Sequence, residues 1–549
     1  MRVERILIVN LTRLGDLLQT SPTVAGLRAA HPDATITLVA EKNFAEVCES
    51  IPGVDEVYVL DLDRVGRLLL DGGERLHEAF VHVREVVHDL RARRFDLALN
   101  FSSSRMSAVF LGLLGVPDVR GWSMTPDGFR TILHPWAKLF AASCLNRRFA
   151  SFNLVDCYRG VAGCLSHPTR SLLYRVGDEA RSAITDRLRA AMPTADRPLV
   201  SLQLGASQPI RRWPSESFAA LARTLVADGF DVALVGGPGE RDLAESVRQA
   251  SGGAAARIVD LSGRTSLAEL AALLERSALL VTGDTGPMHL AAAVSTPIVG
   301  LFFGPALPFD TGPYGEDHVL AHARVACAPC EHSVRCLDPF CRGTIRPELI
   351  AAVVRARLAG DWDAIADAAR GVAPVRLYRS GFDAHGLFEC RPIGAVPPAH
   401  EDVVREAYRA LWLTLLEGTP PPSLQGPEVD LAPFRALAAL ARAGGELSQR
   451  LERATRVEAS SLDVVEEIGR EIEALDRAIA EHGSVHPDVT LLTQMFAFEK
   501  ESLPGAALDV LASETARLYR GLRQSTELIQ AMLGRREVPE EWFDASLHQ

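Results

Sequence analysis

A polar turn between a predicted strand and a predicted helix offers a site for an anion. The apolar run 278–281 predicts a buried strand, and the small residues after His289 predict a helix. Asp284, Thr285 and Gly286 lie between them, at the helix N-terminus. Backbone N–H groups and the helix dipole favour a phosphate at such a place. The same pattern is typical of an ordinary capped helix, so this stretch alone leaves both interpretations open.

Asp16 is a candidate general base. It follows the first predicted strand, 6–9, through a loop that contains Gly15, and it lies near a predicted helix start. Ligands of parallel sheets bind at the carboxyl ends of strands, so a carboxylate there can face a cleft and accept a proton. The alternative is that Asp16 only complements the helix dipole. No G-x-G-x-x-G follows this strand, so the usual nicotinamide-dinucleotide fingerprint is missing.

Two further charged residues follow strands in the second half of the chain. Arg211 lies in a turn after the predicted strand 199–204, and Glu240 follows the glycine-rich turn after the strand 230–235. Arginine suits phosphate by its charge and its fork geometry. A carboxylate after such a turn can bind a ribose diol. Each residue taken singly has an ordinary structural role, but their order at strand ends favours a nucleotide diphosphate site.

Four cysteines form a cluster with metal-ligand spacing. Cys327, Cys330, Cys336 and Cys341 give the pattern C-x2-C-x5-C-x4-C within a short segment. This spacing predicts a four-thiolate metal site, and tetrahedral sulfur suits Zn or Fe. Such a site is structural, because four protein ligands leave no position for a substrate. The alternatives are free thiols in a surface loop, or a redox pair formed by Cys327 and Cys330.

The elements that must position these residues alternate between strand and helix. The alternation runs through residues 1–170 and again through 171–360, which predicts βαβ units and parallel sheets. Two such units in series predict an α/β protein with two Rossmann-like domains that face a cleft. The length of 549 residues allows about three or four domains.

The remainder of the chain follows a different pattern. Residues 370–420 predict a short β-hairpin and a proline-rich linker, and residues 421–549 predict a mostly α-helical C-terminal domain. Apolar residues recur every three or four positions in it, at Leu462, Val465, Ile468, Ile472, Leu475 and Ile479. One interpretation is a bundle that packs on itself. The other is a module for homo-oligomerisation or for recruiting an acceptor.

Bulk properties narrow the class of protein. The net charge of −12 argues against a nucleic-acid partner held by bulk charge. No apolar run reaches the ~20 residues of a membrane span, and the N-terminus predicts a strand rather than a signal peptide, so we expect a cytoplasmic protein. The segment 136–149 mixes aromatic residues with cations. It predicts either contact with a membrane surface or anionic acceptor, or a surface helix with a packed face.

Taken together and in order, these motifs resemble glycosyltransferase family 9, the ADP-heptose heptosyltransferases of lipopolysaccharide core synthesis. The resemblance covers about residues 1–355. It implies a GT-B fold with an N-terminal acceptor domain and a C-terminal donor domain, and inverting transfer without a catalytic metal. The matching segments are 6–18 with 21–22, 205–207, 211–214, 236–240, 261–267 and 283–289.

The resemblance also implies roles for individual residues. Asp16 matches the catalytic carboxylate that takes the proton of the acceptor hydroxyl. Arg211 stands where the family has a lysine that binds donor phosphate, so the charge is kept and the geometry changes. Glu240 matches the carboxylate for the adenosine ribose. The pyrophosphate-binding turn falls on Asp284, Thr285 and Gly286, with His289 beside it.

We therefore expect transfer of heptose from ADP-heptose to a lipopolysaccharide core acceptor of the lipid A–Kdo type, at the inner face of the inner membrane. A protein acceptor of the autotransporter or flagellin type is the alternative. It is suggested by the helical extension and the four cysteines, because autotransporter heptosyltransferases are similar in carrying a four-Cys iron site. A third hypothesis is a non-catalytic scaffold that binds sugar nucleotides, and the presence of Asp16 speaks against it. The donor sugar and base also stay open.

Overall fold

The computed structural model describes residues 3–70, 75–125, 127–192, 197–331, 334, 336–456, 462–503 and 507–534, apart from the side chain at position 69. The strands in these ranges are β1 (Arg5–Val9), β2 (Thr35–Glu41), β3 (Glu56–Leu60), β4 (Leu97–Asn100), β5 (Asp118–Met124), β6 (Arg130–Leu133), β7 (Leu199–Gln203), β8 (Asp231–Val235), β9 (Ile258–Asp260), β10 (Leu279–Gly283), β11 (Ile298–Phe302), β12 (Val319–Ala323), β13 (Val375–Phe382) and β14 (Phe388–Pro392).

The helices are α1 (Leu14–Leu18), α2 (Ser21–Ala30), α3 (Glu46–Glu49), α4 (Leu62–Leu70), α5 (Leu76–Ala92), α6 (Arg105–Leu114), α7 (Pro135–Leu145), α8 (Leu154–Ala162), α9 (Asp178–Ala191), α10 (Ser215–Ala227), α11 (Arg241–Ala250), α12 (Leu267–Arg276), α13 (Gly286–Ala293), α14 (Pro308–Thr311), α15 (Cys341–Thr344), α16 (Pro347–Ala359), α17 (Trp362–Ala368), α18 (His400–Glu417), α19 (Ala432–Arg456), α20 (Leu462–Val485), α21 (Thr490–Glu501) and α22 (Leu508–Leu533).

Contacts between Cα atoms divide the chain into two compact units. The first unit contains residues 1–102, 114–118 and 152–396, and the second contains 103–113, 119–151 and 397–549. The domain bounds predicted from the sequence follow other breaks and stay a prediction. The last predicted domain, 421–549, also extends beyond residue 534, where the described residues end.

The first unit contains two sheets. Strands β3-β2-β1-β4 lie side by side and are all parallel. The second sheet has the order β14-β13-β12-β11-β10-β7-β8-β9, and it is parallel from β12 to β9. Two parallel α/β sheets in one unit confirm the predicted pair of Rossmann-like domains. The GT-B architecture follows from this arrangement.

The apolar runs that predicted strands are the centres of these sheets. Residues 6–9 of β1 and residues 279–281 of β10 have no exposed surface. Parallel sheets are covered on both faces, which is why these runs are continuous rather than alternating. Each fully buried Leu, Ile or Val contributes about 1.5–3 kcal/mol relative to an exposed position. These strands therefore form a rigid base for the loops at their carboxyl ends.

The predicted hairpin extends the second sheet. β13 and β14 pair antiparallel, with Phe382 opposite Phe388, and β13 also pairs antiparallel with β12. A buried polar cluster joins this hairpin to α8. Arg159 contacts Asp156 at 3.1 Å and the Tyr314 hydroxyl at 2.7 Å, and Asp156 accepts the Phe388 N–H at 2.8 Å. This ion pair has 1% or less of its surface exposed, and hydrogen bonds to both terminal nitrogens of Arg159 and to both carboxylate oxygens of Asp156 offset the cost of burying the charges, although Arg159 Nε has no partner among the described residues.

The second unit contains a helical bundle that packs on itself. α19 lies against α22, where Gly444 meets the ring of Tyr519, and α20 lies against α21, where Gly483 meets Thr493. In neither place is there room for a Cβ atom on the glycine, so the helices approach closely. Of the predicted apolar stripe in α20, Ile468, Ile472 and Ile479 are buried, whereas Leu462 is exposed.

Three separate pieces of chain build the second unit. β5 and β6 form an antiparallel pair, and the ring of Trp122 on β5 lies 6.1 Å from that of Phe498. Trp136 of α7 donates to Glu417 at 2.8 Å, and Arg409 donates to the Ser151 carbonyl at 2.7 Å. Residues 119–151 are therefore integral to the C-terminal helical unit.

The segment 136–149 has the packed face that one of its two interpretations predicts. Trp136, Leu139 and Phe149 are buried, and burial lowers the pKa of Lys138, which lies near Glu499. Direct contact of this aromatic face with a membrane surface is therefore not supported. None of the helices in the described part of the chain combines the length and apolar character needed to cross a lipid bilayer.

Candidate active site

Asp16 is held at the end of β1 by a network of short polar contacts. The Asn10 side chain donates to the Asp16 carbonyl at 3.1 Å, and Thr12 donates to Asn10 Oδ1. The Leu11 N–H donates to Ser102, which follows β4, at 2.7 Å. The Asp16 carboxylate accepts the Arg13 N–H at 3.3 Å. Neighbouring strand ends thus fix the loop that presents the carboxylate.

Helices α1 and α13 cross in close contact because each has a glycine there. A Cβ atom on Gly15 would lie 2.7 Å from Cδ2 of His289. On the other side of the contact, a Cβ atom on Gly286 would lie 2.8 Å from Cδ2 of Leu14. The predicted base and the predicted phosphate turn come from the two sheets of the first unit, and this crossing brings them together.

The environment of Asp16 favours its protonated form. Burial raises the pKa of this carboxyl, and the negative charge of Asp284 raises it further. Hydrogen bonds from Arg13 and Thr12 lower the pKa, but they do not outweigh the burial. A carboxylate with a raised pKa is a stronger base once it is ionised, which suits proton abstraction.

Arg211 and Asp284 form an ion pair at the end of β10. Arg211 Nη2 lies 2.8 Å from Asp284 Oδ2 and also donates to the Asp284 carbonyl. Thr311 donates to the same carboxylate oxygen at 3.2 Å. A carboxylate repels a diphosphate, whereas a guanidinium attracts it. In this geometry Arg211 can attract an anion, and Asp284 holds its side chain in place.

His289 is neutral at physiological pH. It is 4% exposed, and burial lowers its pKa to about 4. The Asp284 carboxylate, 4.0 Å from Nε2, works against this shift, and Arg211 adds to it. Within the described ranges, Nδ1 of His289 has no hydrogen-bond partner. His289 can therefore contribute a hydrogen bond and shape to the site, but not a charge.

Thr285 is the N-cap residue of α13, although its hydroxyl makes no capping hydrogen bond. The hydroxyl instead lies 3.4 Å from Gln203 Oε1 and 3.3 Å from the Thr282 hydroxyl. These contacts are at the long limit for hydrogen bonds, so the hydroxyl is weakly held. Gly286 follows as the first residue of the helix.

Glu240 closes a glycine-lined turn after β8. Its carboxylate accepts the Gly237 N–H, and Gly205, after β7, faces it so closely that a Cβ atom there would overlap the carboxylate. Gly263 has φ +62°, and a Cβ atom on it would lie 2.6 Å from the Pro238 Cα atom. The glycines of three predicted motifs thus meet around Glu240, each because a neighbour approaches its backbone.

The four cysteines lie near one another, but the metal site predicted from their spacing is not supported. Burial raises the pKa of Cys330, and Cys327, Cys341 and Cys336 raise it further. All four are free thiols, and Cys327 and Cys336 are exposed. Over the residues described here, no group of three or more His, Cys, Asp or Glu side chains is placed to hold a metal ion. Spacing gave the proximity but not a converging set of ligands.

Several polar residues of the site were not predicted from the sequence. Gln203 ends β7 and Thr282 is the second-last residue of β10, both near Thr285, and Thr311 contacts Asp284 from α14. Asn10 and Ser102 support the Asp16 loop. Their position at the ends of apolar strands is a signal that could have identified Gln203, Thr282 and Asn10. Thr311 and Ser102 carry no such signal, since only tertiary packing brings them to the site.

The two parallel α/β sheets, with charged groups gathered at their strand ends, have the GT-B architecture. The sequence profile of glycosyltransferase family 9 (heptosyltransferase) matches residues 83–340. The chain is similar to family 9 glycosyltransferases over these residues, and it extends well beyond them at its C-terminal end.

Curated relatives align with more than half of the chain. Lipopolysaccharide heptosyltransferase 2 of Salmonella typhimurium is 26% identical over 314 residues, which are 56% of this chain and 85% of the relative. Lipopolysaccharide heptosyltransferase 1 of Pseudomonas aeruginosa is 27% identical over 373 residues, or 64% and 98%. The crystal structure of a family 9 glycosyltransferase from Veillonella parvula superposes with a TM-score of 0.56 at 23% identity, covering 66% of this chain and 98% of that one, which supports the fold.

Proposed function

We propose that this protein transfers heptose from ADP-heptose to a lipopolysaccharide core acceptor with inversion at the anomeric carbon. The crossing of α1 and α13 carries the proposal. It places Asp16 of one Rossmann-like domain beside Asp284, Arg211 and His289 of the other. A base and an anion-binding group are needed on opposite sides of a displacement, and the two domains supply one each.

The base acts on the acceptor. The Asp16 carboxylate takes the proton of the acceptor hydroxyl as the hydroxyl oxygen bonds to the anomeric carbon of heptose. The bond from that carbon to the β-phosphate oxygen breaks, and ADP leaves with the electron pair. The hydrogen bonds from Asn10 and Arg13 hold Asp16 in place for this step, since a misplaced base loses much of its effect.

The leaving diphosphate is stabilised by the second domain. Arg211 turns its guanidinium to the phosphate charge, while Asp284 and Thr311 keep that side chain in position. Backbone N–H groups at the start of α13, around Thr285 and Gly286, add the positive end of the helix dipole. Neutral His289 adds a hydrogen bond without repelling Arg211.

Glu240 binds the ribose of ADP in this proposal. Its side chain lies in a turn where Gly205, Gly236 and Gly237 leave room for it beside the backbone. A carboxylate accepts two hydrogen bonds from a diol. Glu240 therefore selects a nucleoside diphosphate over a bare diphosphate.

The lipopolysaccharide acceptor is supported by the relatives, which include lipopolysaccharide heptosyltransferases 1, 2 and 3. The proposal includes a cytoplasmic enzyme that meets its acceptor at the inner face of the inner membrane. The functions of the C-terminal helices, homo-oligomerisation included, are not needed for the chemistry described above.

Mass spectrometry of acceptors tests the function. The full chain is incubated with ADP-heptose and core oligosaccharide in one tube, and with ADP-heptose and whole-cell protein extract in another. We expect a heptose-sized mass gain on the oligosaccharide, and no gain with the Asp16→Asn variant. A mass gain on polypeptide alone would mean that the acceptor is a protein. Transfer from a different sugar nucleotide alone would mean that the donor is not ADP-heptose.

A further inference from the structure

We propose that Arg342 is a positioning residue that fixes Arg211 for binding of the donor diphosphate. This inference rests on the proposed role of Arg211 in the transfer reaction. Arg342 belongs to α15 and directly follows Cys341, the last of the four cysteines whose spacing predicts a metal site. In the structure, Arg342 contacts the turn that carries Arg211.

Arg342 holds the Arg211 turn from both sides. Its Nη1 atom donates to the Pro209 carbonyl at 3.0 Å and to the Arg212 carbonyl at 3.3 Å. These two carbonyls lie before and after Arg211 in the chain. One guanidinium nitrogen therefore bridges the short 3-10 turn Pro209–Arg211 and limits the rotation of the backbone that carries the Arg211 side chain.

The rest of α15 and its neighbours complete this support. The indole of Trp213, two residues after Arg211, donates to the Ile345 carbonyl at 2.9 Å. Gly304 faces Ile210, to which a Cβ atom would come within 3.5 Å, and the Gly304 carbonyl accepts the Cys330 N–H at 3.1 Å. Ile345 directly, and Cys330 through Gly304, thus support the turn that carries Arg211.

Arg342 acts through Arg211 because its described hydrogen bonds all end on backbone carbonyls. Besides the two carbonyls of the turn, Nε donates to Pro339 at 3.4 Å. The Arg211 side chain, in contrast, pairs with Asp284 at the site. Charged donors to carbonyls contribute more to stability than neutral donors do, so loss of the Arg342 guanidinium should have a measurable effect on ADP binding.

A double-mutant cycle with ADP as the probe tests the inference on the full chain. Calorimetry measures ADP binding to the wild type, Arg342→Ala, Arg211→Ala and the double variant. We expect Arg342→Ala alone to weaken ADP binding about tenfold, but less than about twofold when Arg211 is already alanine. Arg342→Lys should restore part of the loss, because it can reach one carbonyl but not both. Arg346→Ala, at an exposed arginine four residues further, is the control and should bind ADP as the wild type does.

Equal losses in both backgrounds, or no loss from Arg342→Ala, would overturn the positioning role while the proposed function stands. A wild type that does not bind ADP would overturn the proposed function instead. In that case, hydrogen exchange tests without a ligand whether Arg342 holds the turn that carries Arg211. We expect Arg342→Ala, but not Arg346→Ala, to speed exchange of the Arg211 and Arg212 amides, which donate to Gln208 and Pro209. Unchanged exchange would contradict the inference.

Discussion

Gly15 and His289 share a contact in which only one of them can have a side chain. A Cβ atom on Gly15 would lie 2.7 Å from Cδ2 of His289, closer than two carbon atoms can approach. We expect Gly15→Ala to force α1 and α13 apart or to move the imidazole. Overpacking of this kind costs about 1–3 kcal/mol, and the displaced base should lower kcat/KM about tenfold to a hundredfold.

The matched control for this substitution is Gly66→Ala in α4. A Cβ atom there meets no atom within 4 Å, so alanine should be neutral or stabilise the helix. Steady-state kinetics and thermal unfolding of both variants decide the question. Full activity in Gly15→Ala would show that the two helices need not approach as closely during the reaction as they do here.

Asp16→Asn should abolish transfer and keep ADP binding. An amide cannot take the acceptor proton, and removal of a general base typically costs about 10²–10⁴ in rate. The wild-type kcat/KM should decrease on the acid side of its pH profile. Because burial raises the pKa of Asp16, this acid limb should lie at a higher pH than an ordinary carboxyl would give. The residual activity of the asparagine variant should lack this acid limb. Wild-type rates in Asp16→Asn would remove the base assignment.

The buried neutral His289 should make the first unit sensitive to acid. Its pKa is about 4 in the folded chain against a usual value of 6.5, so the unfolded chain takes up the proton first as the pH falls. The free energy of unfolding therefore has its full value above about pH 6.5 and decreases as the pH falls toward 4. Between pH 7.5 and pH 5 the loss is about 2 kcal/mol.

Urea unfolding at the two pH values measures this loss. His289→Gln, which does not titrate, should show a pH dependence smaller than that of the wild type by about the same amount. An identical pH dependence in both proteins would mean that the imidazole is not held neutral by burial.

Glu240 should discriminate ADP from inorganic pyrophosphate. Glu240→Gln removes the ionised acceptor for the ribose diol, so it should weaken ADP binding about tenfold and leave pyrophosphate binding unchanged, whereas Arg211→Ala should weaken both. Gly205→Ala should resemble Glu240→Gln, because its Cβ atom overlaps the Glu240 carboxylate. Gly239→Ala, where a Cβ atom meets open space, is the control. If Glu240→Gln weakened the binding of ADP and of pyrophosphate equally, Glu240 would contact the diphosphate rather than the ribose.

Two adjacent glycines test the packing of the helical bundle. Gly444→Ala should lower the melting temperature of the second unit, because its Cβ atom would overlap the Tyr519 ring, whereas a Cβ atom on Gly445 meets nothing within 4 Å. The cost of overpacking is about 1–3 kcal/mol, and Gly445→Ala should be neutral or slightly stabilising. Differential scanning calorimetry compares the two, and equal melting temperatures would contradict the observed crossing of α19 and α22.

Periodicity was enough to predict the two parallel sheets, and strand-end positions favoured a common site for Arg211, the helix start at 285–289 and Glu240. These features are local, since an apolar run defines each strand and a polar residue ends it. The ion pair between Arg211 and Asp284 was not predictable, because it depends on how two strand ends meet. Nor could spacing show that the cysteines would not converge on a metal, since that depends on the backbone path between them.

The helical extension shows that domain composition cannot be predicted from the order of segments in the chain alone. The apolar stripe of α20 predicted its buried face, and Ile468, Ile472 and Ile479 are buried as expected. The participation of residues 119–151 in the same unit could not be predicted. Trp136 and Glu417, which share a hydrogen bond, are far apart in the chain and neither belongs to a recognisable motif.

Because the second unit is assembled from three pieces of chain, its C-terminal helices are not a removable appendage. A chain shortened to end near residue 396 would lose the partners of Trp122, Trp136 and Ser151, and it would leave two tryptophans without cover in the middle of the remaining sequence. Such a truncation would favour aggregation rather than yield a minimal transferase.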